Sequence, residues 1–345
     1  DSRQPEPAKR LADAQSVELG NSVKPKRILF FGTSAFAVPT LVALHDAAPR
    51  HTIIAVVTQP DRPSGRGNKI APSPVKARAI ELGYTVLQPE KTRRKPFPAE
   101  VAAMNPDVLV VVSFGQIIPQ SILDVPRFGG VNVHGSLLPR WRGAAPIHWA
   151  ILSGDAETGV ATMNMEATLD TGAVYLEART PIGSNDTVET LEPRLSALGA
   201  PLLVETLDRL EAGTIIAVPQ SESGMTYAYP VTRETGLLDA ATESAAAMER
   251  KVRALSPRPG VWVSLADKPV KVLAAQTQIP TASVPDGAPG TVAALLKEGV
   301  AVATVDGVFL ITRLQPPNKG AMNAADFARG IRLQVGDAVS AATGI

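Results

Sequence analysis

The sequence of 345 residues contains no cysteine and only four histidines, His45, His51, His134 and His148. Without cysteine there can be no disulfide bond, no thiolate metal ligand and no cysteine nucleophile. With so few histidines, a multi-histidine metal site is not expected either. We therefore expect no metal cofactor.

Long apolar runs are also missing, and no run reaches the roughly 18 residues that a membrane-spanning helix needs. The net charge is only +1, so a polyanionic partner would have to bind a local basic patch. Apolar residues make up 45% of the sequence and charged residues 19%, as in an ordinary globular protein long enough for two domains. We expect a two-domain monomer with no membrane partner.

Residues 1–24 are polar and lack apolar periodicity, which predicts a disordered tail. The sequence begins with Asp1, so we interpret it as a processed product or a fragment; an expression artefact is the alternative. A tail that remained after cleavage of a targeting peptide would place the protein in the mitochondrial matrix or plastid stroma. A bacterial protein would be cytoplasmic.

Short apolar runs alternate with helical patterns through the first part of the sequence. This alternation predicts an open parallel sheet with helices on both faces, whose ligands bind beyond the carboxyl ends of the strands. The turn at 32–36 lacks the G-x-G-x-x-G pattern, so we do not expect a dinucleotide site. The predicted strands lie at 27–31, 52–57, 85–87, 108–112, 160–165 and 173–177.

The pattern changes in the last third of the sequence. A long amphipathic helix is predicted at 190–210, and from Gly260 short alternating runs separated by turn residues predict a small β-barrel or sandwich. We therefore expect a catalytic domain at 25–212, a linker at 213–232 and a C-terminal domain at 233–345.

The stretch around Asn132 and His134 is the strongest candidate for chemistry. Two residues apart on a predicted strand, both side chains would project to one face. An amide can stabilise an oxyanion and an imidazole can move a proton, as acyl transfer requires. Asp170 could orient or charge His134 as the third member of a triad. The alternative is ordinary: a polar strand end, and a turn aspartate that caps the next segment.

Basic side chains cluster in a loop rich in proline and glycine that contains Arg62, Arg66 and Lys69. Such a loop is often a solvated connection, but at the strand-end side of a sheet it could bind phosphates. A second basic cluster at 91–95 is predicted to be a surface face.

Several of these segments resemble one known family. The stretch 132–147, N-V-H-G-S-L-L-P-R-W-R-G-A-A-P-I, resembles the signature of the methionyl-tRNA formyltransferases. The resemblance covers about residues 26–330. Further segments that resemble the family lie at 59–63, 65–67, 72–76, 88–89, 169–172, 226–228, 253–254, 257 and 259–260.

The resemblance implies a fold and an activity. The fold is a Rossmann-like formyltransferase domain followed by an OB-like tRNA-binding barrel. The activity is transfer of the formyl group of 10-formyltetrahydrofolate, a co-substrate, to the α-amine of methionyl-initiator tRNA for translation initiation. The implied site residues are Asn132, His134 and Asp170 for catalysis, Ser136, Leu137, Leu138 and Pro139 for folate, and Arg62, Arg66 and Lys69 for tRNA.

Two alternatives remain open at this point. One is a formyltransferase of the same fold that acts on a small amine, which would need neither the basic loop nor the barrel. The other is a catalytically silent RNA-binding relative, which would not need Asn132, His134 and Asp170. The sequence also departs from the family at Pro230 and Ala240, in the predicted linker and just beyond it.

Overall fold

The computed structural model describes residues 26–64, 69–277 and 287–343. The predictions for residues 1–24 and Arg66 fall outside these residues. The N-terminal domain is built on a seven-stranded sheet in the order β10-β9-β7-β6-β1-β2-β5, with two small ribbons, β3–β4 and β8–β11. Its strands are β1 (Lys26–Gly32), β2 (His51–Val57), β3 (Arg62–Ser64), β4 (Lys69–Ala71), β5 (Val86–Leu87), β6 (Val108–Val112), β7 (Gly130–His134), β8 (Arg142–Gly143), β9 (Glu157–Asn164), β10 (Val174–Pro181) and β11 (Tyr227–Ala228).

The sheet is parallel over most of its width, as predicted, but not throughout. β7, β6, β1, β2 and β5 run parallel, whereas β9 is antiparallel to β7 and β10 is antiparallel to β9. The predicted parallel arrangement therefore holds for five strands, and β9 and β10 add an antiparallel edge to it. The short loop 165–173 between β9 and β10 explains the hairpin, because a parallel connection needs a crossover of a dozen or more residues.

Helices cover both faces of the sheet. They are α1 (Val38–Asp46), α2 (Pro74–Glu81), α3 (Phe97–Met104), α4 (Gln120–Leu123), α5 (Pro146–Ser153) and α6 (Val188–Glu211). α6 begins with a capping box, in which the Thr187 hydroxyl accepts from the Thr190 backbone N–H and the Thr190 hydroxyl accepts from the Thr187 N–H. Its buried leucines pack with those of α1 against Val131 and Val133 of β7. This core fixes the strand that carries the candidate site.

The C-terminal domain is a nearly closed antiparallel barrel in the order β14-β15-β16-β13-β12-β18, with a further strand, β17, paired to β16. A bridge between Thr291 and Ala338 joins the two ends of the sheet and nearly closes it. The barrel prediction is therefore confirmed. Its elements are α7 (Ala245–Leu255), β12 (Val261–Leu265), β13 (Lys268–Gln276), β14 (Thr291–Leu295), β15 (Val300–Ala303), β16 (Val308–Gln315), β17 (Met322–Asn323), α8 (Ala324–Ile331) and β18 (Val339–Ser340).

The two domains share one apolar cluster, in which Met248 and Val252 of α7 and Ile151 of α5 are buried. Two arginines of α7 also cross the boundary. Arg250 Nε donates to the Leu152 carbonyl at 3.0 Å, and Arg253 Nη1 donates to the Asp186 carbonyl at 2.8 Å. The barrel is thus fixed against the helix that follows the candidate site in the chain. None of the helices in the described ranges combines the length and apolarity of a membrane crossing.

Gly199 of α6 determines how closely this helix approaches the site strand. A Cβ added at Gly199 would lie 2.8 Å from Val133 Cγ1, between Asn132 and His134 in the chain. We expect Gly199→Leu to destabilise the protein by about 1–3 kcal/mol through overpacking, measured as the free energy of unfolding.

Gly330 of α8 provides the matched control, because a Cβ there meets no atom within 4 Å. Gly330→Ala should raise stability by up to about 1 kcal/mol through helix propensity. Equal stability of Gly199→Leu and the wild type would contradict the close packing of α6 on β7.

Candidate active site at the carboxyl end of β7

Asn132 and His134 lie on the same face of β7, as their spacing predicts. Their neighbours Val131 and Val133 point to the helix-covered core on the opposite face. Asn132 is half-buried, and no hydrogen bond joins its side-chain amide to the part of the chain that the structure describes. The amide N–H groups therefore remain available to a ligand at the strand end.

His134 is held by the loop that follows it. The ring is 6% exposed, and Nε2 lies 2.9 Å from the Trp141 carbonyl oxygen. A carbonyl can only accept, so Nε2 carries the hydrogen and donates it. In the neutral ring Nδ1 is then the unprotonated nitrogen. It faces Asp170 Oδ2 at 3.8 Å, which is too long for a hydrogen bond but close for a charge.

Asp170 is fixed by main-chain contacts. The Gly143 N–H donates to Asp170 Oδ2 at 2.8 Å. The Gln220 side chain donates to the carbonyls of Asp170 and Gly172, at 2.9 and 2.8 Å, and accepts from Arg142 Nε at 2.8 Å. The structure therefore brings the three residues predicted to be catalytic to one strand end, with His134 and Asp170 facing each other.

The turn after β7 is stabilised by its own side chains. Ser136 is fully buried and its hydroxyl donates to the Arg140 carbonyl at 2.6 Å, while Leu138 packs against β9. Leu137 and Pro139 are half-buried. Of the four residues predicted to contact folate, Ser136 and Leu138 face inward. The side chains of Leu137 and Pro139, with the backbone, form the open part of the turn.

Asp155 stabilises this turn from the side. Arg140 donates to both oxygens of Asp155, with the Nε contact at 2.8 Å, and Trp141 Nε1 donates to Oδ2 at 2.7 Å. The Arg140 guanidinium also lies 4.4 Å from the Trp141 ring centroid, in cation–π geometry. The Trp141 carbonyl binds His134. By fixing Trp141, Asp155 therefore stabilises the position of the imidazole indirectly.

The basic loop rises from the same edge of the sheet. Gln59, after β2, donates to the Phe114 carbonyl after β6, and Asp61 accepts from Lys76 Nζ and Gln88 Nε2. The hydrogen bond from Lys76 is the main cause that lowers the pKa of Asp61. These contacts anchor the hairpin β3–β4, on which Arg62 is exposed and which also contains Lys69.

Three contributors to the site were not predicted from the sequence: Gln220, Asp155 and Thr226. Gln220 and Thr226 lie in the segment predicted to be a linker, yet Thr226 Oγ1 accepts from the Trp141 N–H at 2.9 Å. Only Thr226 lay in a motif that resembled the family. Among the described residues, no group of three or more His, Cys, Asp or Glu side chains is arranged to hold a metal ion.

The fold and the site define the chain as a formyl transferase. The family model of the formyl transferase domain matches residues 26–207, and that of the formyl transferase C-terminal domain matches residues 230–332. Within this class the chain belongs to the methionyl-tRNA formyltransferase family, as the sequence resemblance predicted. It is therefore an enzyme that transfers a one-carbon group.

Two bacterial relatives illustrate the match. The methionyl-tRNA formyltransferase of Halorhodospira halophila is 48% identical over 91% of this chain and 99% of its own length. That of Ruegeria pomeroyi is 46% identical over 88% of this chain and 97% of its own. The similarity thus extends over both domains.

Solved structures share the fold at lower identity. The sugar 3N-formyl transferase WlaRD has a TM-score of 0.61 at 15% identity and covers 86% of this chain and 99% of its own. HypX from Aquifex aeolicus, in complex with tetrahydrofolic acid, has a TM-score of 0.58 at 20% identity. It matches 88% of this chain, which spans 47% of HypX. Both confirm the two-domain fold.

Gly143 tests how strictly the site depends on its backbone. Its φ is +126°, and an added Cβ would lie 2.6 Å from the Ala228 carbonyl oxygen. Gly143→Ala should displace the N–H that binds Asp170 and lower formyl-transfer turnover about 100-fold, since a shift near 1 Å at a reacting centre has that effect.

The neighbouring Ala144 is exposed and supplies the control. Ala144→Ser should retain wild-type turnover in the same steady-state assay, with thermal melts to verify folding of both variants. Wild-type turnover from Gly143→Ala would show that Asp170 does not need this donor.

Proposed function

We propose that this protein transfers the formyl group of 10-formyltetrahydrofolate to the α-amino group of methionyl-initiator tRNA. The observation that carries the proposal is the pair formed by His134 Nδ1 and the Asp170 carboxylate at the end of β7. The family to which the chain belongs supports the choice of donor and acceptor. The product, formylmethionyl-tRNA, would serve translation initiation.

His134 acts as the general base in this proposal. The amine of an aminoacyl ester attacks the formyl carbon only when it is neutral, and it must lose a proton as the new C–N bond forms. Nδ1 is the nitrogen that can accept this proton, because Nε2–H is engaged by the Trp141 carbonyl. The protonated ring then presents Nδ1–H to Asp170, whose negative charge stabilises it.

Asn132 stabilises the charge that develops on the formyl oxygen. When the amine attacks, the electrons of the C=O bond move to oxygen, and a half-buried amide N–H at the strand end can donate to it. One such donor is typically worth about 3 kcal/mol. On collapse, the bond between the formyl carbon and N10 of the folate breaks, and the proton held by His134 passes to that nitrogen.

The open part of the 136–139 turn is proposed as the folate contact. Leu137 and Pro139 are half-buried beside the catalytic strand end, where parallel sheets of this class bind their ligands. Ser136 and Leu138 contribute by holding the turn in shape.

The hairpin β3–β4 and the barrel are proposed to bind the tRNA. Arg62, Arg66 and Lys69 would contact phosphates of the acceptor arm, because the hairpin rises from the edge of the sheet that carries the site. Arg66 lies outside the described residues. The barrel, part of the proposed domain 233–345, would bind the tRNA further from its acceptor end.

We propose that the enzyme works as a monomer, in the cytoplasm of a bacterium, or in the mitochondrial matrix or plastid stroma if residues 1–24 are the remnant of a targeting peptide. Bacterial relatives support the first location. A same-fold enzyme acting on a small amine is the competing proposal. Transfer from 10-formyltetrahydrofolate to an amino sugar, with none to methionyl-tRNA, would favour it. Binding of tRNA without transfer would favour a silent relative.

The triad can be tested by removing one group at a time. His134→Ala should lower turnover about 10³-fold, the range of a general base, and Asn132→Ala should lower it about 100-fold. Asp170→Asn is nearly isosteric and can still accept from the Gly143 N–H, so its expected loss of about 100-fold isolates the charge. His45→Gln on α1 is the control and should retain wild-type turnover. Wild-type turnover of His134→Ala would refute the mechanism.

The tRNA-binding hairpin can be tested by its salt dependence. The double variant Arg62→Ala/Arg66→Ala should raise the KM for methionyl-tRNA and reduce the slope of log KM against log salt by roughly one per lost phosphate contact. The KM for the folate should stay unchanged. Arg209→Ala, at the end of α6 that lies beside Lys26 at the start of β1, should change neither. A weakened folate affinity in the double variant would contradict the assignment.

A further inference from the structure

Two tyrosines stand exposed beside the candidate active site. The side chains of Tyr227 and Tyr229 are 45% and 65% exposed, and their ring centroids lie 6.1 Å apart at an interplanar angle of 37°. Ala228 between them is buried. The alternation is that of an extended segment with both rings on one face. No step of the mechanism above uses them.

The pair is attached directly to the loop that orients the catalytic groups. β11 is parallel to β8, with Tyr227 opposite Arg142 and Ala228 opposite Gly143. Gly143 binds the Asp170 carboxylate, and Trp141, one residue before β8, binds His134. The two rings thus belong to a ribbon whose other strand borders the site.

The register of the ribbon connects Tyr227 to the Asp170 loop. Tyr227 lies opposite Arg142, whose Nε donates to the Gln220 side chain. Gln220 in turn binds the Asp170 loop, where Leu169 is exposed. Tyr227 is therefore linked to the Asp170 loop through Arg142 and Gln220.

The backbone of the pair is fixed before any ligand arrives. The hydroxyl of Thr226 accepts from the Trp141 N–H at 2.9 Å, and the carbonyl of Tyr229 accepts from Trp149 Nε1 at 2.8 Å. The Trp141 and Trp149 rings stack beneath, with centroids 5.9 Å apart. Exposed rings on such a fixed backbone lose little conformational entropy on binding.

Cationic side chains gather where the chain leaves this segment. Arg233 follows Tyr229 by four residues. Burial is the main cause that lowers the pKa of Lys271 on β13, and the nearby charges of Arg233 and Arg258 lower it further. Glu234 is next to Arg233 and offsets part of the positive charge. Aromatic faces next to phosphate-binding cations are the usual means of holding single-stranded nucleic acid.

We propose that Tyr227 and Tyr229 form a stacking platform for unpaired bases at the 3′ end of the tRNA. The inference rests on the proposed function, in which the aminoacyl ester at that end must reach His134. The bases next to the ester are the only part of the substrate that is both close to the reacting amine and free to stack. The platform would hold the end in place and present the amine to the site.

A binding assay tests the platform without catalysis. The probes are two forms of the uncharged initiator tRNA, one intact and one lacking its 3′-terminal CCA, each titrated into the full-length protein. The wild type should bind the intact tRNA about tenfold or more tightly than the truncated one, a factor typical of base stacking on an aromatic side chain. Tyr227→Ala/Tyr229→Ala should bind both forms with the same, weaker affinity.

The matched control keeps the rings and removes the hydroxyls. Tyr227→Phe/Tyr229→Phe should retain the wild-type preference for the intact tRNA. In the formylation assay the alanine variant should raise the KM for methionyl-tRNA about tenfold and leave the KM for 10-formyltetrahydrofolate unchanged. Tyr229→Ala alone, at the more exposed ring, should show a smaller loss in the same direction if the double variant unfolds.

Three outcomes would overturn the platform. They are equal affinities of the wild type for intact and truncated tRNA, an unchanged preference in the folded alanine variants, and an equal loss in the phenylalanine variant. An unchanged preference in the folded alanine variants would mean that the two exposed tyrosines bind another partner, such as a protein. Failure of the proposed function would appear differently, as a wild-type protein that transfers no formyl group to methionyl-tRNA.

Discussion

The hydrogen bond from His134 Nε2 to the Trp141 carbonyl is the contact on which the site depends. It determines which ring nitrogen is basic and points that nitrogen at Asp170. The carbonyl is in place only because residues 135–141 fold back over the strand end, and this turn is fixed by Asp155 and by the buried hydroxyl of Ser136. The parallel sheet places His134 at its carboxyl edge, and the turn places the Trp141 carbonyl where it orients the imidazole.

Much of the fold was predictable because its determinants are local. Continuous apolar runs predicted the buried strands β1, β2 and β6, and spaced leucines predicted α6. The spacing of Asn132 and His134 placed them on one face. By contrast, the antiparallel edge depends on the path of the loop between β9 and β10. The two-residue strands β8 and β11 form only because they pair with each other. No local pattern identifies elements of that kind.

The same distinction explains why Gln220, Asp155 and Thr226 were not predicted. The side chains predicted to be catalytic carry chemistry that can be recognised in a sequence. Many of the contacts that support them involve main-chain groups: the Trp141 carbonyl, the Gly143 N–H and the Asp170 carbonyl. Main-chain donors and acceptors are present at every residue, so a sequence does not show which ones are used. Gln220 is distant in the chain from both carbonyls that it binds, and only the folded structure brings them together.

The packing of α7 on α5 fixes the distance between the candidate site and the barrel. Arg250 and Arg253 of α7 donate to the carbonyls of Leu152 and Asp186 in the N-terminal domain. A shared apolar core fills the boundary between the two domains. These contacts hold the candidate site at the end of β7 at a set separation from the barrel. Under the proposed function, a tRNA that contacts both the strand end and the barrel must match that separation. Short amines, which cannot span the interval, gain nothing from the second domain.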